Sequence, residues 1–246
     1  MEFSQSLIPG RLIKRYKRFL ADIAFDDGHE ETAHCANPGS MLSVSTPGAA
    51  VWLSRSDNPK RKLPLTLELI ETKSGLVGIN PMLANRLAEE AIESGRIGAL
   101  AGYTSLRREV RYGENSRIDI LLEAPEKPPC YVEVKSVTLR RTKEYSGPNA
   151  GEKSAPGLAE FPDAVTTRGA KHLRELAAVV QAGGRAVMLY IAQRNDCEHF
   201  AIAADIDPGY EQAFSAGRAA GVEMLAVSCS VTPWAIEVLG DLPILN

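Results

Sequence analysis

Three residues in two short strand-like runs carry the chemistry this chain can be expected to do. SRIDILLE (116–123) holds Asp119, and CYVEVKSVTL (130–139) holds Glu133 and Lys135. A strand points successive side chains to opposite faces. Glu133 and Lys135 therefore share a face with Tyr131, and Val132 and Val134 share the other. Asp119 lies opposite its flanking residues Ile118 and Ile120. If the two runs pair as neighbours, two carboxylates and one ammonium meet at one place. Carboxylates held together repel, and the pKa of one rises. A hard divalent cation such as Mg²⁺, or Mn²⁺ in its place, relieves that conflict. A cation beside a positioned lysine suits phosphodiester chemistry.

The elements that must position these residues divide at about residue 78. Residues 1–75 are β-rich. RLIKRYKRFLADIAF, ETAHCAN, AAVWLSRS and LPLTLELIET are separated by the turn signals DDG, NPGS, TPG and DNPK. Short strands at close spacing predict a small barrel over 1–78, of the oligonucleotide/oligosaccharide-binding (OB) kind; an SH3-like barrel would give a similar pattern. Residues 79–246 read as a second, α/β domain. NPMLANRLAEEAIESG predicts a helix capped by Asn80, with Pro81 in its first turn and a stripe of Leu83, Leu87 and Ala91. Three strands follow, at 105–112, 116–123 and 130–139, then a loop rich in Gly, Pro and Ser over roughly 141–162. A second helix enters through FPDAVTTRGAKHL, with Asp163 as cap and Thr166 or Thr167 as alternatives. RAVMLYIAQ (185–193) is a strand apolar on both faces. A short strand at HFAIAA, a helix near 208–220 and a last strand near 222–230 complete the pattern.

Composition points to a soluble protein with an electrostatically divided chain. The 246 residues are 44% hydrophobic and 24% charged, with a net charge of −3. No apolar run is long enough for a membrane span. The N-terminus lacks the pattern of a signal peptide, and the four scattered cysteines include no CxxC. A cytoplasmic protein with free thiols is the expectation. The segment after Arg194 holds eight acidic residues and one basic, a net −7, so residues 1–194 carry +4, which is −3 minus −7. Basic residues cluster at Arg11, Lys14, Arg15, Lys17 and Arg18, at Lys60, Arg61 and Lys62, and at Arg140, Arg141 and Lys143. Such clusters beside a candidate metal site favour a phosphate-backbone partner. In the first cluster the charges interleave with Tyr16 and Phe19, which suits backbone contact plus base stacking. Arg117, next to Asp119, joins the set. Arg168, Lys171 and His172 share the first turns of the second helix, where anions are favoured.

The αβββαβ order after Asn80, with an acid on the second strand and Glu-x-Lys on the third, resembles the PD-(D/E)XK nuclease superfamily. That resemblance implies a mixed central sheet, Asp119 and Glu133 as metal ligands, and Lys135 as the group that orients the attacking water or stabilises the phosphate. It also implies a further acid from the first helix. Glu90 is favoured over Glu89 because it lies nearer the Leu83–Leu87 stripe. Asp163 is an alternative contributor to the metal shell. The strings HCANPGSM, NPKRKLPLTLEL, SRIDILL, YVEVKSVTL and FPDAVTTRGAKHL resemble, more specifically, the sugar fermentation stimulation protein A family. Where that family usually has Asn-Thr-Gly-Ser, this chain has Asn37-Pro38-Gly39-Ser40. The resemblance implies an OB-like domain on a nuclease-like domain, non-specific DNA binding and a regulatory role in sugar metabolism, notably that of maltose. RNA as partner, pairing into homodimers and active Mg²⁺-dependent cleavage are the alternatives it leaves open.

Overall fold

The computed structural model describes residues 1–113, 116–142 and 156–245. Lys143 and most of the expected Gly/Pro/Ser-rich loop lie outside the described residues.

The first unit contains β1 (Ile8–Tyr16), β2 (Leu20–Ala24), β3 (Glu30–Cys35), β4 (Ala50–Arg55), β5 (Leu65–Thr72) and β6 (Gly75–Gly78). β1 pairs antiparallel with β2 and β4, β2 with β3, and β4 with β5. β3 then closes the ring on β5 in parallel, through His34↔Thr66 and Cys35↔Leu67. The ring order β1-β2-β3-β5-β4 is a closed, OB-like five-stranded barrel, and closure removes its sheet edges. Leu12, Ala21, Ile23, Val51, Leu53 and Leu67 fill the interior. β6 continues β5 as a hairpin, and Gly78 N–H donates to Gln193 O of the second unit at 2.8 Å.

RLIKRYKRFLADIAF is not one run but a hairpin. Lys17 (φ 48°) and Arg18 (φ 63°) sit in the left-handed region at its tip. Hairpin turns of this hand usually carry Gly, Asn or Asp, so this one has no turn signal in the sequence.

The second unit runs α1 (Ala84–Glu93), β7 (Ser105–Tyr112), β8 (Ser116–Ala124), β9 (Lys127–Val137), β10 (Leu158–Phe161), α2 (Thr167–Gln181), β11 (Arg185–Ala192), β12 (His199–Ile202), α3 (Pro208–Ala219), β13 (Glu223–Val231) and β14 (Ile236–Asp241). Its mixed sheet has the order β14-β13-β11-β9-β8-β7. The three central strands β13, β11 and β9 are parallel, and β14, β8 and β7 are antiparallel to their neighbours. Leu87, Ala88 and Ala91 of α1 pack on one face, against Ile120, Val132 and Leu189. Leu173 and Leu176 of α2 and Tyr210 and Phe214 of α3 pack on the other, against Met188 and Tyr190.

The entries to the two helices differ in how well the sequence marks them. Asn80 accepts from Met82 N–H and caps the turn before α1. For α2 the cap is Thr166, which accepts from Gly169 N–H, and not Asp163. The stretch before it, expected as loop, contains β10, which pairs in parallel with β12 outside the main sheet. Residues 1–3 lie on the second unit, where Phe3 N–H donates to Trp234 O at 3.0 Å. Among the described residues, no helix is long and apolar enough to cross a membrane.

A largely enclosed acid, Asp196, ties the two units together. Arg194, 2% exposed, donates to both oxygens of Asp196 at 2.8 and 2.9 Å. Arg140 adds a bond of 2.6 Å, and Ser74 at the β5–β6 turn reaches the same carboxylate. Burial pushes the Asp196 acid up, but the hydrogen bonds and charge of the arginines outweigh it and hold the carboxyl far below the usual range. A carboxyl depressed on folding stabilises the protein above its unfolded pKa, and that contribution is lost as pH falls. Asp196→Asn is expected to cost about 2–4 kcal/mol in urea unfolding at pH 7. The gap to the native chain should shrink as the pH drops below about 4.

Candidate metal and nucleic-acid site

β8 and β9 are antiparallel neighbours, so Asp119 and Glu133 do meet. The ladder between the strands starts at Ala124↔Lys127, shifts register before Leu122↔Cys130, and ends at Ile120↔Val132. Beyond it, the Asp119 Oδ2 atom takes the Val134 N–H at 2.8 Å. The side chain thus replaces a ladder carbonyl. Asn85 Nδ2, from the second residue of α1, donates to Asp119 Oδ1 at 2.9 Å.

Glu133 is 2% exposed. Its Oε1 is held by Lys135 Nζ at 2.5 Å and by His172 Nδ1 from α2. Arg168 Nε donates to His172 Nε2 at 3.3 Å. A guanidinium can only donate, so Nε2 accepts and the proton of His172 lies on Nδ1, directed at Glu133. The other oxygen, Oε2, is buried and has no hydrogen-bond partner among the described residues.

Electrostatics separate the two acids. Burial, and then the charge of Glu133, raise the Asp119 carboxyl above its ordinary value, and the bonds from Val134 N–H and Asn85 offset this only in part. Burial pushes Glu133 up as well, but the hydrogen bond from His172 and the charge of Lys135 bring it below the usual range. The two shifts therefore run in opposite directions, Asp119 up and Glu133 down.

These side chains line the floor of a cavity of about 580 Å³ between the barrel and the sheet. The roof is the loop Asn37–Ser40, together with Arg15 and Arg18 of the β1–β2 hairpin; Val165, Thr166 and Arg168 at the start of α2 form one wall. Asp163 fixes the roof to the floor. Its Oδ2 accepts from Met41 N–H at 2.8 Å, and a Cβ on Gly39 would come within 2.6 Å of its Oδ1. Gly39 is therefore the residue that lets the loop and the carboxylate approach. Arg15 braces the same loop by donating to Asn37 O at 2.9 Å and Gly39 O at 2.8 Å.

The expected site residues separate into two groups. Asp119, Glu133, Lys135, Arg15, Arg18 and Arg168 line the cavity, and Lys17 shares the hairpin tip with Arg18. Glu90 does not join them. It binds the chain's own amino terminus at 2.7 Å and Arg86 at 3.3 Å, because its helix position faces β14 rather than β8. Glu89, the alternative, pairs with Arg108. Arg15 is occupied by backbone carbonyls, so its role is to hold the loop. Lys171 pairs with Glu175 at 3.3 Å on the outer side of α2. Lys60, Arg61 and Lys62 lie on the exposed β4–β5 loop, where Arg61 bonds Thr66 Oγ1 at 2.7 Å. Neither that loop nor Arg117 on β8 lines the cavity. Asn85 is a site residue that the sequence marks only weakly, as a polar side chain one turn after Pro81 at the start of the first helix.

Two family models match the chain: the SfsA N-terminal OB domain over residues 13–79 and the sugar fermentation stimulation protein RE domain over residues 82–235. The chain belongs to the sugar fermentation stimulation protein (SfsA) family. A homolog from Maricaulis maris is 57% identical over 97% of this chain and 96% of its own length. One from Rhodospirillum centenum is 55% identical over 97% of each. The solved structure of Pyrococcus furiosus SfsA in complex with Ca²⁺ is similar over 100% of this chain and 98% of that one, with a TM-score of 0.84 and 25% identity.

The donor set fits a hard divalent cation. Glu133 Oε2 is free, each Asp119 oxygen bonds to one donor only, and both acids are oxygen ligands. Among the described residues no group of three His, Cys, Asp or Glu side chains is arranged for a metal. Two carboxylates, with water and phosphate completing the sphere, are the usual set for Mg²⁺. Glu133→Gln should lower the Asp119 pKa, read by carboxyl NMR titration, and Glu90→Gln should leave it where it is. An Asp119 pKa unmoved by Glu133→Gln would separate the two acids.

Proposed function

We propose that this SfsA-family chain binds nucleic acid without sequence preference in the cleft between barrel and sheet, and that it cleaves the bound phosphodiester with Mg²⁺ or Mn²⁺. The observation that carries this reading is the buried, unpartnered Oε2 of Glu133 beside an Asp119 carboxylate oriented by Asn85 and the Val134 N–H. A protein that only held its ligand would have no use for such a pair. The Ca²⁺ complex of Pyrococcus furiosus SfsA supports an oxygen-ligand cation site in the family.

Asp119 and Glu133 would hold the cation. When bound, it would supply positive charge to a phosphate oxygen and lower the pKa of a water. The protein's own residues do the rest. Asn85 and Val134 N–H fix the Asp119 carboxylate, so its orientation needs no rearrangement. His172, itself held by Arg168, fixes Glu133. Lys135 points into the cleft from the same strand face and offers its ammonium to the developing charge on the phosphate. Arg18 and Lys17 at the hairpin tip provide the sequence-independent attraction to the backbone. Control of sugar metabolism, including that of maltose, would follow from occupancy or processing of the bound nucleic acid.

One observation favours a second reading, in which the chain binds DNA and does not cut it. Lys135 is already paired with Glu133 at 2.5 Å, which occupies its ammonium in the absence of ligand. Incubation of the purified chain with DNA and RNA, with and without Mg²⁺ or Mn²⁺, decides between them. The first reading expects cation-dependent cleavage that falls about 10²–10³-fold in Lys135→Ala and is abolished in Glu133→Ala. Cleavage that survives in both variants would remove the site from the reaction. Affinity should fall steeply with salt in either reading, and a salt-independent affinity would contradict both.

A further inference from the structure

Resting on the nucleic-acid reading above, we propose that the cleft takes a single-stranded segment with its bases unstacked, and not a continuous duplex. Three independent features support this.

The first is depth. Glu133 is 2% exposed, and its side chain and that of Lys135 lie under a roof supplied by the other unit. A cavity of about 580 Å³ has the size of a pocket that encloses one small ligand. It has room for a nucleotide or two of one strand. A duplex could offer its phosphates only at the mouth.

The second is exposed apolar surface on and beside the lining. Among the described residues six large hydrophobic side chains are notably exposed: Phe19, Met82, Val165, Trp234, Leu239 and Leu245. Val165 belongs to the lining itself, and Phe19 and Met82 each adjoin a lining residue in the chain. Val165 is 70% exposed. Met82, 75% exposed, sits between the lining residues Pro81 and Ala84. Phe19, 47% exposed, follows the lining residue Arg18, and its carbonyl accepts from Cys35 N–H at the root of the Asn37–Ser40 roof. Phosphates have no affinity for such side chains, whereas the faces of unstacked bases do.

The third is charge complementarity. Lys17, Arg18 and Arg168 have no carboxylate partner among the described residues and lie on or beside the same lining. Cationic side chains close to exposed apolar ones suit both the phosphates and the bases of a single strand. The left-handed backbone of Lys17 and Arg18 keeps Phe19 and both cations together at the tip.

The test is fluorescence anisotropy without divalent cation. One labelled DNA oligonucleotide is used alone and annealed to its full complement, at equal salt. The single strand should bind at least tenfold more tightly. Phe19→Ala and Val165→Ala should each weaken the single strand about tenfold and leave the duplex within twofold. A duplex that binds as tightly as the single strand, or variants that weaken both forms equally, would overturn the proposal and leave the nucleic-acid reading standing. No binding of either form would overturn both. Circular dichroism of each variant guards against misfolding, and Phe19→Tyr should restore binding if the ring, and not the fold, is at issue.

Discussion

The enclosure of two carboxylates on adjacent strands is the constraint around which the second unit is arranged. Asp119 and Glu133 repel, and burial removes the water that would screen them. The fold answers in two places. At Asp119 it ends the β8–β9 ladder and lets the side chain accept the Val134 N–H. At Glu133 it brings Lys135 and His172 onto one oxygen and leaves the other bare. One oxygen of this acid pair, Glu133 Oε2, is thereby left buried with no hydrogen-bond partner among the described residues. Perturbed acids in a cleft are the usual mark of a functional site.

The barrel matters to this site because it is attached at the site. Asp163 reaches Met41 N–H and lies against Gly39, Arg15 braces the same loop, and Asp196 with Arg194 and Arg140 joins the β5–β6 hairpin to the sheet. The two units form one cleft because charged and polar groups of each satisfy the backbone or carboxylates of the other. Buried ionic contacts of this kind lose most when one partner is removed. They suit a junction that has to hold one geometry.

Much of this was legible in the sequence, for physical reasons. Period-two alternation placed Glu133 and Lys135 on one face, and the apolar Ile118, Ile120, Val132 and Val134 marked their strands as buried. Turn signals at DDG, NPGS and DNPK marked the barrel. What stayed hidden depends on contacts between residues far apart in the chain. Asn85 meets Asp119 across 34 positions, and Asp163 meets Met41 across 122. Neither pairing leaves a local pattern. Glu90 was chosen by helical phase, which fixes the face of a helix but not the neighbour it meets; that neighbour is the amino terminus. Lys17 and Arg18 stand out in the sequence as charges, but not as a turn, because the tip uses left-handed backbone without the residues that usually announce it.

In the proposed function, Asp119 and Glu133 share one divalent cation. Anomalous diffraction from crystals of this chain soaked in Mn²⁺ tests it most directly. A single strong peak is expected within bonding distance of Glu133 Oε2 and an Asp119 oxygen, lost in Glu133→Gln. A saturating soak with no peak there, or with the peak elsewhere and unaffected by that substitution, would contradict it.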